Sequence, residues 1–145
     1  MDNAQAPIAL VGFDADDTLW RSEDYFAQAQ VEFERIISRY VDLDDSRARE
    51  RLYAVEKGNM ALFGYGVKGM ALSMMEAAIE LTGERISAAD MHRILRMAKD
   101  MLDHPVELLP GVRKAVEEIA SAYQVVLITK VVVPVLNARF AINAA

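Results

Sequence analysis

Apolar positions along the chain follow two patterns: short unbroken runs near the ends and a helical rhythm between them. Residues 8–13 (IALVGF) form a run rich in branched side chains, with Pro7 before it and aspartates after it. Such a run predicts a strand buried on both faces, as in a parallel sheet, and its shortness and Gly12 disfavour a helix. From Ser22 the rhythm changes. Ser22 is placed as an N-cap, with Glu23 and Asp24 in the first turn, where they suit the helix dipole. Phe26, Ala29, Phe33, Ile36, Ile37 and Tyr40 then recur at helical spacing. A second helix is predicted from about Asp45 to Lys57, ended by Gly58 and Asn59. A third covers residues 67–81 and stops at Gly83, with Met70, Met74 and Met75 as core filler. A fourth opens at Ser87, with Asp90 at capping-box spacing, and carries Met91, Ile94, Leu95, Ala98 and Leu102 on one side.

Pro105 lies beyond that helix. Leu109-Pro110-Gly111-Val112 then leads into a helix ending near Ala122, and residues 125–129 (VVLIT) form a second buried strand. The order strand, helical block, helix, strand predicts an α/β fold. Residues 1–20 and 106–145 form a partial core with a parallel sheet, and residues 21–105 are a helical insertion within it.

Composition narrows the chemistry. With 145 residues, 53% of them hydrophobic, the chain has room for one domain or a small domain plus an insertion. The absence of cysteine excludes disulfides, thiolate metal sites, iron–sulfur clusters and a Cys nucleophile. His92 and His104 are the only histidines, which excludes a multi-histidine metal site. A net charge of -6 argues against nucleic acid or an anionic membrane as a partner. The longest apolar stretch, residues 125–136, carries Lys130 and Pro134 and is too short to span a bilayer. The start of the chain lacks the basic residues and apolar run of a signal peptide, so a soluble cytoplasmic protein is expected.

The chemistry concentrates after the first strand, in Asp14, Asp16, Asp17 and Thr18. In open α/β sheets the carboxyl ends of the strands carry the ligand crevice. Three carboxylates within four residues repel one another, and so raise a pKa or call for a cation. Mg²⁺, a hard ion with oxygen ligands, fits a chain without cysteine and nearly without histidine. A metal-bound carboxylate can attack phosphorus, and a second one two residues on can protonate the leaving oxygen and later activate water. An EF-hand loop is excluded, because its sixth and twelfth positions counted from Asp14 are Leu19 and Tyr25 instead of Gly and Glu. The plainer alternative is an acidic turn that starts a helix, with Thr18 as its cap. Asp42, Asp44 and Asp45 read as a solvated turn and helix start, in preference to a second metal site.

FDADDTLW at the end of the first strand, LLPGV, and VVLITK at the end of the second together resemble the haloacid dehalogenase-like (HAD) hydrolase superfamily. The resemblance spans roughly residues 7–130. It implies a Rossmann-like core with residues 21–105 as an inserted cap that closes over the site and selects a small phosphorylated substrate. It implies that Asp14 is the nucleophile and a Mg²⁺ ligand. Asp16 is then the general acid/base and gives the metal its main-chain carbonyl. Thr18 lies in the substrate-binding motif, and Thr129 holds phosphoryl oxygens with its hydroxyl. An acid two residues after the nucleophile marks the phosphatases of the superfamily, so Asp16 implies phosphoryl transfer, not carbon–halogen cleavage. Asp17 stands where the family usually has Gly.

The chain also departs from that pattern. The family places a Lys and further metal-binding acids beyond the second strand. Here the last acidic residue is Glu118, and the tail after Lys130 has no Asp, Glu or further Lys. Lys130 is the available stand-in for the missing Lys. These departures lead to the expectation of a member truncated after the second motif, with a non-native tail or one that adds an edge strand through residues 131–136. An inactive fragment that binds a partner or self-associates through its open sheet edge is the rival expectation. Gly64-Tyr65-Gly66-Val67-Lys68-Gly69 matches GxGxxG but sits between helices, so a Gly-rich turn is the better reading than a dinucleotide fingerprint.

Overall fold

The computed structural model describes residues 8–129, apart from the side chains of Asp45 and Ser46. They divide into two compact units. The first comprises residues 8–23 and 106–129; the second comprises residues 24–105.

In the first unit, strand β1 (Leu10–Asp14) pairs in parallel with strand β2 (Gln124–Ile128). The register runs from Leu10 opposite Gln124 to Asp14 opposite Ile128. Helix α6 (Val112–Ala120) precedes β2 and packs on it. Gly111 caps its start at φ 82°, a left-handed conformation open to glycine, and the Val112 amide donates to the Leu109 carbonyl at 3.2 Å. This explains the LPGV string.

The expected burial of β1 on both faces is not found. Burial alternates along the strand, with Val11 and Phe13 half-buried and Leu10 52% exposed. Ile128 at the end of β2 is 62% exposed. The reason is that, among the described residues, the sheet has two strands only, and α6 has no fully buried residue of its own. A run of branched residues encodes a strand; how many layers cover it is decided elsewhere.

The second unit is helical: α1 (Glu23–Ile37), α2 (Leu43–Ser46), α3 (Ala48–Phe63), α4 (Val67–Leu81) and α5 (Ala88–Asp103). Its core gathers Phe33, Ile36 and Ile37 of α1, Leu52 and Val55 of α3, Met70 and Met74 of α4, and Ile94 of α5. Helix α4 is the centre, because Gly69, Ser73, Ala77 and Ala78 are small enough for α3 and α5 to approach it. Ser87 accepts the Asp90 amide at 3.1 Å and caps α5 as its spacing predicts. Asp42 caps α2 by accepting the Asp44 amide at 2.9 Å, which accounts for two residues of that acidic turn.

The second predicted helix is wrong in both bounds. A left-handed Arg47 (φ 48°) separates α2 from α3, and α3 runs through Gly58 and Asn59 to Phe63. Asn59 stays helical because its amide Nδ2 donates to Ser73 Oγ at 3.2 Å and Glu76 Oε2 at 2.6 Å, both on α4. Tertiary bonds here override a weak local propensity. The GxGxxG string is a helix–helix turn, with Gly64 ending α3 and Gly66 preceding α4. Gly69 is needed inside α4, since a Cβ there would lie 2.6 Å from the Gly64 carbonyl oxygen.

Candidate active site

Parallel pairing brings the carboxyl ends of β1 and β2 to one sheet edge. Asp14 closes β1 opposite Ile128, so Thr129 follows directly beside it. Asp14 is exposed and Thr129 is half-buried. The loop after Asp14 is anchored by Ala15, which is fully buried, and by Leu19, at 8% exposure. The Ala15 carbonyl accepts the Thr18 amide at 3.2 Å and the Leu19 amide at 2.7 Å. The Asp17 amide donates to the Trp20 carbonyl at 2.8 Å. The residues leaving the loop are tied to the segment before α6: Arg21 donates to the Glu107 carbonyl at 3.0 Å, and Leu109 to the Leu19 carbonyl at 2.9 Å.

The three aspartates do not share one partner. Thr18 Oγ1 donates to Asp14 Oδ2 at 2.8 Å. The Trp20 indole Nε1 donates to Asp16 Oδ1 at 2.9 Å. Asp17 accepts the amides of Ser22 and Glu23 at 2.9 Å each, the latter also reaching its second oxygen at 3.1 Å. Mutual repulsion within the acidic run is thus answered by four donors, with a separate set for each carboxylate. Thr18 serves Asp14 instead of capping a helix. Asp17 does the capping, from a distance in sequence that no capping pattern covers, by taking the Ser22 and Glu23 amides.

Asp17 also has φ 56°. That left-handed turn position explains why glycine suits it, and Asp is among the residues that tolerate it. The capping role of Asp17 and the Trp20 bond to Asp16 were not legible in the sequence. Nothing in the spacing marks either, because both depend on the loop's closure.

Lys130 lies outside the described residues, as does the proposed edge strand over 131–136. His92 is exposed, and the His104 ring packs on the Tyr25 ring at 4.6 Å between centroids. A groove of about 630 Å³ in the helical unit, lined in part by Arg35, Arg93 and Arg96, contains none of the acidic-run residues. Two of its cations already have partners: Arg35 pairs with Glu32 at 2.6 Å and Arg93 with Asp90 at 3.2 Å. Among the described residues no three His, Cys, Asp or Glu side chains are gathered to hold a metal ion.

No family model and no curated protein matches this sequence. Among solved structures, it is similar to a haloacid dehalogenase-like family hydrolase from Xanthomonas campestris, at 51% identity and a TM-score of 0.84 over 94% of this chain. The chain belongs to the haloacid dehalogenase-like hydrolase family. It spans 56% of the length of that neighbour. The two-stranded parallel unit and α6 are therefore a partial HAD-like core, and the five helices from α1 to α5 are its helical insert. No helix among the described residues is long and apolar enough to cross a membrane.

The donors present at the site fit Mg²⁺. Among the described residues, Asp14 offers an exposed carboxylate at the strand end, and Asp16, Asp17, Thr18 and Thr129 nearby in the chain carry oxygen donors only. Mg²⁺ needs no more than one or two carboxylates when water and phosphate oxygens complete its shell.

Proposed function

We propose that this chain carries the nucleophile side of a Mg²⁺-dependent HAD-type phosphatase acting on a small phosphorylated substrate. The observation that supports it is the shared sheet edge: Asp14 stands in register with Ile128, Thr129 follows, and Thr18 Oγ1 holds Asp14 Oδ2 at 2.8 Å.

The bond from Thr18 fixes the Asp14 rotamer, so the carboxylate is presented at the exposed strand end. An Asp14 oxygen attacks phosphorus, and the bond from phosphorus to the leaving oxygen breaks. Asp16, as the general acid, gives that oxygen a proton. In the second half, Asp16 takes a proton from water, the water oxygen attacks phosphorus, and the Asp14–phosphorus bond breaks to release phosphate. Thr129 hydrogen-bonds the phosphoryl oxygens. Asp14 and the Asp16 carbonyl would hold Mg²⁺, which when bound offsets the negative charge on carboxylate and phosphate. Lys130, outside the described residues, follows Thr129 in the chain and is proposed as the positive charge that balances the nucleophile and phosphate. The helical unit, residues 24–105, is the proposed cap. In a cytoplasmic setting the substrate would reach the site from bulk water.

Mg²⁺-dependent release of phosphate from an aryl phosphate tests this reading. Asp14→Asn should abolish it, and undiminished turnover would refute the nucleophile assignment.

A second reading rests on the sheet itself. Among the described residues it has only two strands, each with one edge left without a partner strand, and exposed Leu10 and Ile128 add apolar surface beside them, which supports self-association through the edge. Native mass spectrometry distinguishes the two: a dimer without hydrolytic activity supports the second reading, and an active monomer removes it.

A further inference from the structure

The indole of Trp20 has its N–H on the carboxylate assigned as general acid/base, 2.9 Å from Asp16 Oδ1. Its backbone is held on both sides. The Trp20 carbonyl accepts the Asp17 amide at 2.8 Å, and Trp20 bridges to Asp16 on one side and Leu108 on the other. Arg21 and Leu19 add bonds to Glu107 and Leu109 at 3.0 and 2.9 Å. The half-buried residue is thus held through its main chain, and the one polar atom of its ring points at one oxygen of Asp16. A rigid donor on one carboxylate oxygen orients the other, because the two are fixed in a plane.

We infer that Trp20 is a positioning residue for Asp16: its indole N–H anchors Oδ1 and so sets the direction in which the second oxygen meets the leaving group. This rests on the proposed phosphatase reading and assigns a residue that the acidic motif does not contain. Trp20 touches no reacting atom; it acts through Asp16.

The chain has one tryptophan, so its indole N–H gives a single resonance in an isotope-labelled sample. A carboxylate acceptor moves that proton downfield. In Asp16→Ala the resonance should move upfield while the amide spectrum stays dispersed, and in Asp14→Ala it should stay. An indole resonance unchanged in Asp16→Ala overturns the inference whatever the activity.

The kinetic arm uses Trp20→Phe, which keeps the ring and removes the donor. The readout is kcat/KM, which reports the first half alone, since the water-activating step that Asp16 also serves is common to both substrates. A leaving group that needs no proton, such as p-nitrophenolate, should keep nearly the wild-type kcat/KM. An alkyl phosphate needs the acid, and its kcat/KM should fall by about tenfold, a part of what general acid catalysis supplies. Equal loss of kcat/KM on both substrates means a merely structural ring and overturns the inference, as does no loss on either. Failure of the parent reading looks different: Asp14→Asn or Asp16→Asn would then leave the wild-type rate on both substrates unchanged. Wild-type protein without phosphate hydrolysis removes the parent reading, and the positioning role with it.

Discussion

Asp90 opens α5 inside the helical unit and is 6% exposed. Its carboxylate receives the Tyr40 hydroxyl at 2.6 Å, Arg39 Nη1 at 3.0 Å and Arg93 Nη1 at 3.2 Å. Ser87 Oγ lies 3.3 Å from the same carboxylate and accepts the Asp90 amide. The Tyr40 hydroxyl in turn accepts the Ser87 amide at 3.1 Å. One acid therefore fastens the segment just after α1 to the start of α5. Asp90→Ala removes the acceptor and leaves the Tyr40 hydroxyl without its carboxylate. Losing one partner of a buried charged network costs about 3–5 kcal/mol. Arg39 and Arg93 are 42% and 39% exposed and regain water, so we expect the lower end, about 3 kcal/mol. Urea unfolding followed by far-ultraviolet circular dichroism measures it. A loss under about 1 kcal/mol would refute the reasoning, since that is the scale of one neutral surface hydrogen bond. The pH dependence gives a second check. The bond from Tyr40, with the charges of Arg39 and Arg93, holds the Asp90 carboxyl below its ordinary value despite the opposing effect of burial. Between the two values the unfolded chain binds more protons, so stability rises with pH there. The contribution is complete above the ordinary aspartate value and is lost as pH falls through the folded one. Asp90→Ala should flatten that acid limb, and an unchanged limb would refute the assignment.

Other outcomes follow from the same structure. Asp17→Ala removes the acceptor for the Ser22 and Glu23 amides and puts a residue without that side chain at φ 56°; we expect a loss of about 1–2 kcal/mol in urea unfolding. Asp17→Gly relieves the dihedral but not the amides, so it should fall between wild type and Asp17→Ala. Gly69→Ala drives a Cβ against backbone, 2.6 Å from the Gly64 oxygen, and should lower stability by about 1–3 kcal/mol, while Gly58→Ala, with nothing within 4 Å, should not lower it. Burial pushes the Glu56 carboxyl above its ordinary value. The unfolded chain then releases its proton first as pH rises, so ionised Glu56 opposes folding at neutral pH. Glu56→Gln should raise the melting temperature at pH 7 and lose that advantage in acid; an unchanged or lower melting temperature at pH 7 would count against it.

Much of this protein is written in local pattern. The third predicted helix coincides with α4, because its apolar and small residues repeat at helical spacing and Gly83 follows. Ser87 marked the start of α5, since its hydroxyl caps the amide of Asp90, a near neighbour, while the return bond of a capping box is replaced by one to Tyr40. Asp14 and Thr129 were legible as strand-end residues, with Asp16 in the loop beyond, because the apolar runs before them are themselves local pattern. What the pattern could not carry were relations between distant segments. Asn59 stays in α3 because Ser73 and Glu76 receive its amide, and Asp90 is a clasp because Tyr40 and Arg39 reach it from far along the chain. Even within the acidic run, the sequence determined that three carboxylates lie close together. Only the folded loop decided that each has its own donor: Thr18 for Asp14, Trp20 for Asp16, and the start of α1 for Asp17. Local order fixes which residues are neighbours along the backbone. Which atoms meet depends on how the turn closes, and that closure is set by buried Ala15 and Leu19 and by main-chain bonds to a segment from the other end of the unit.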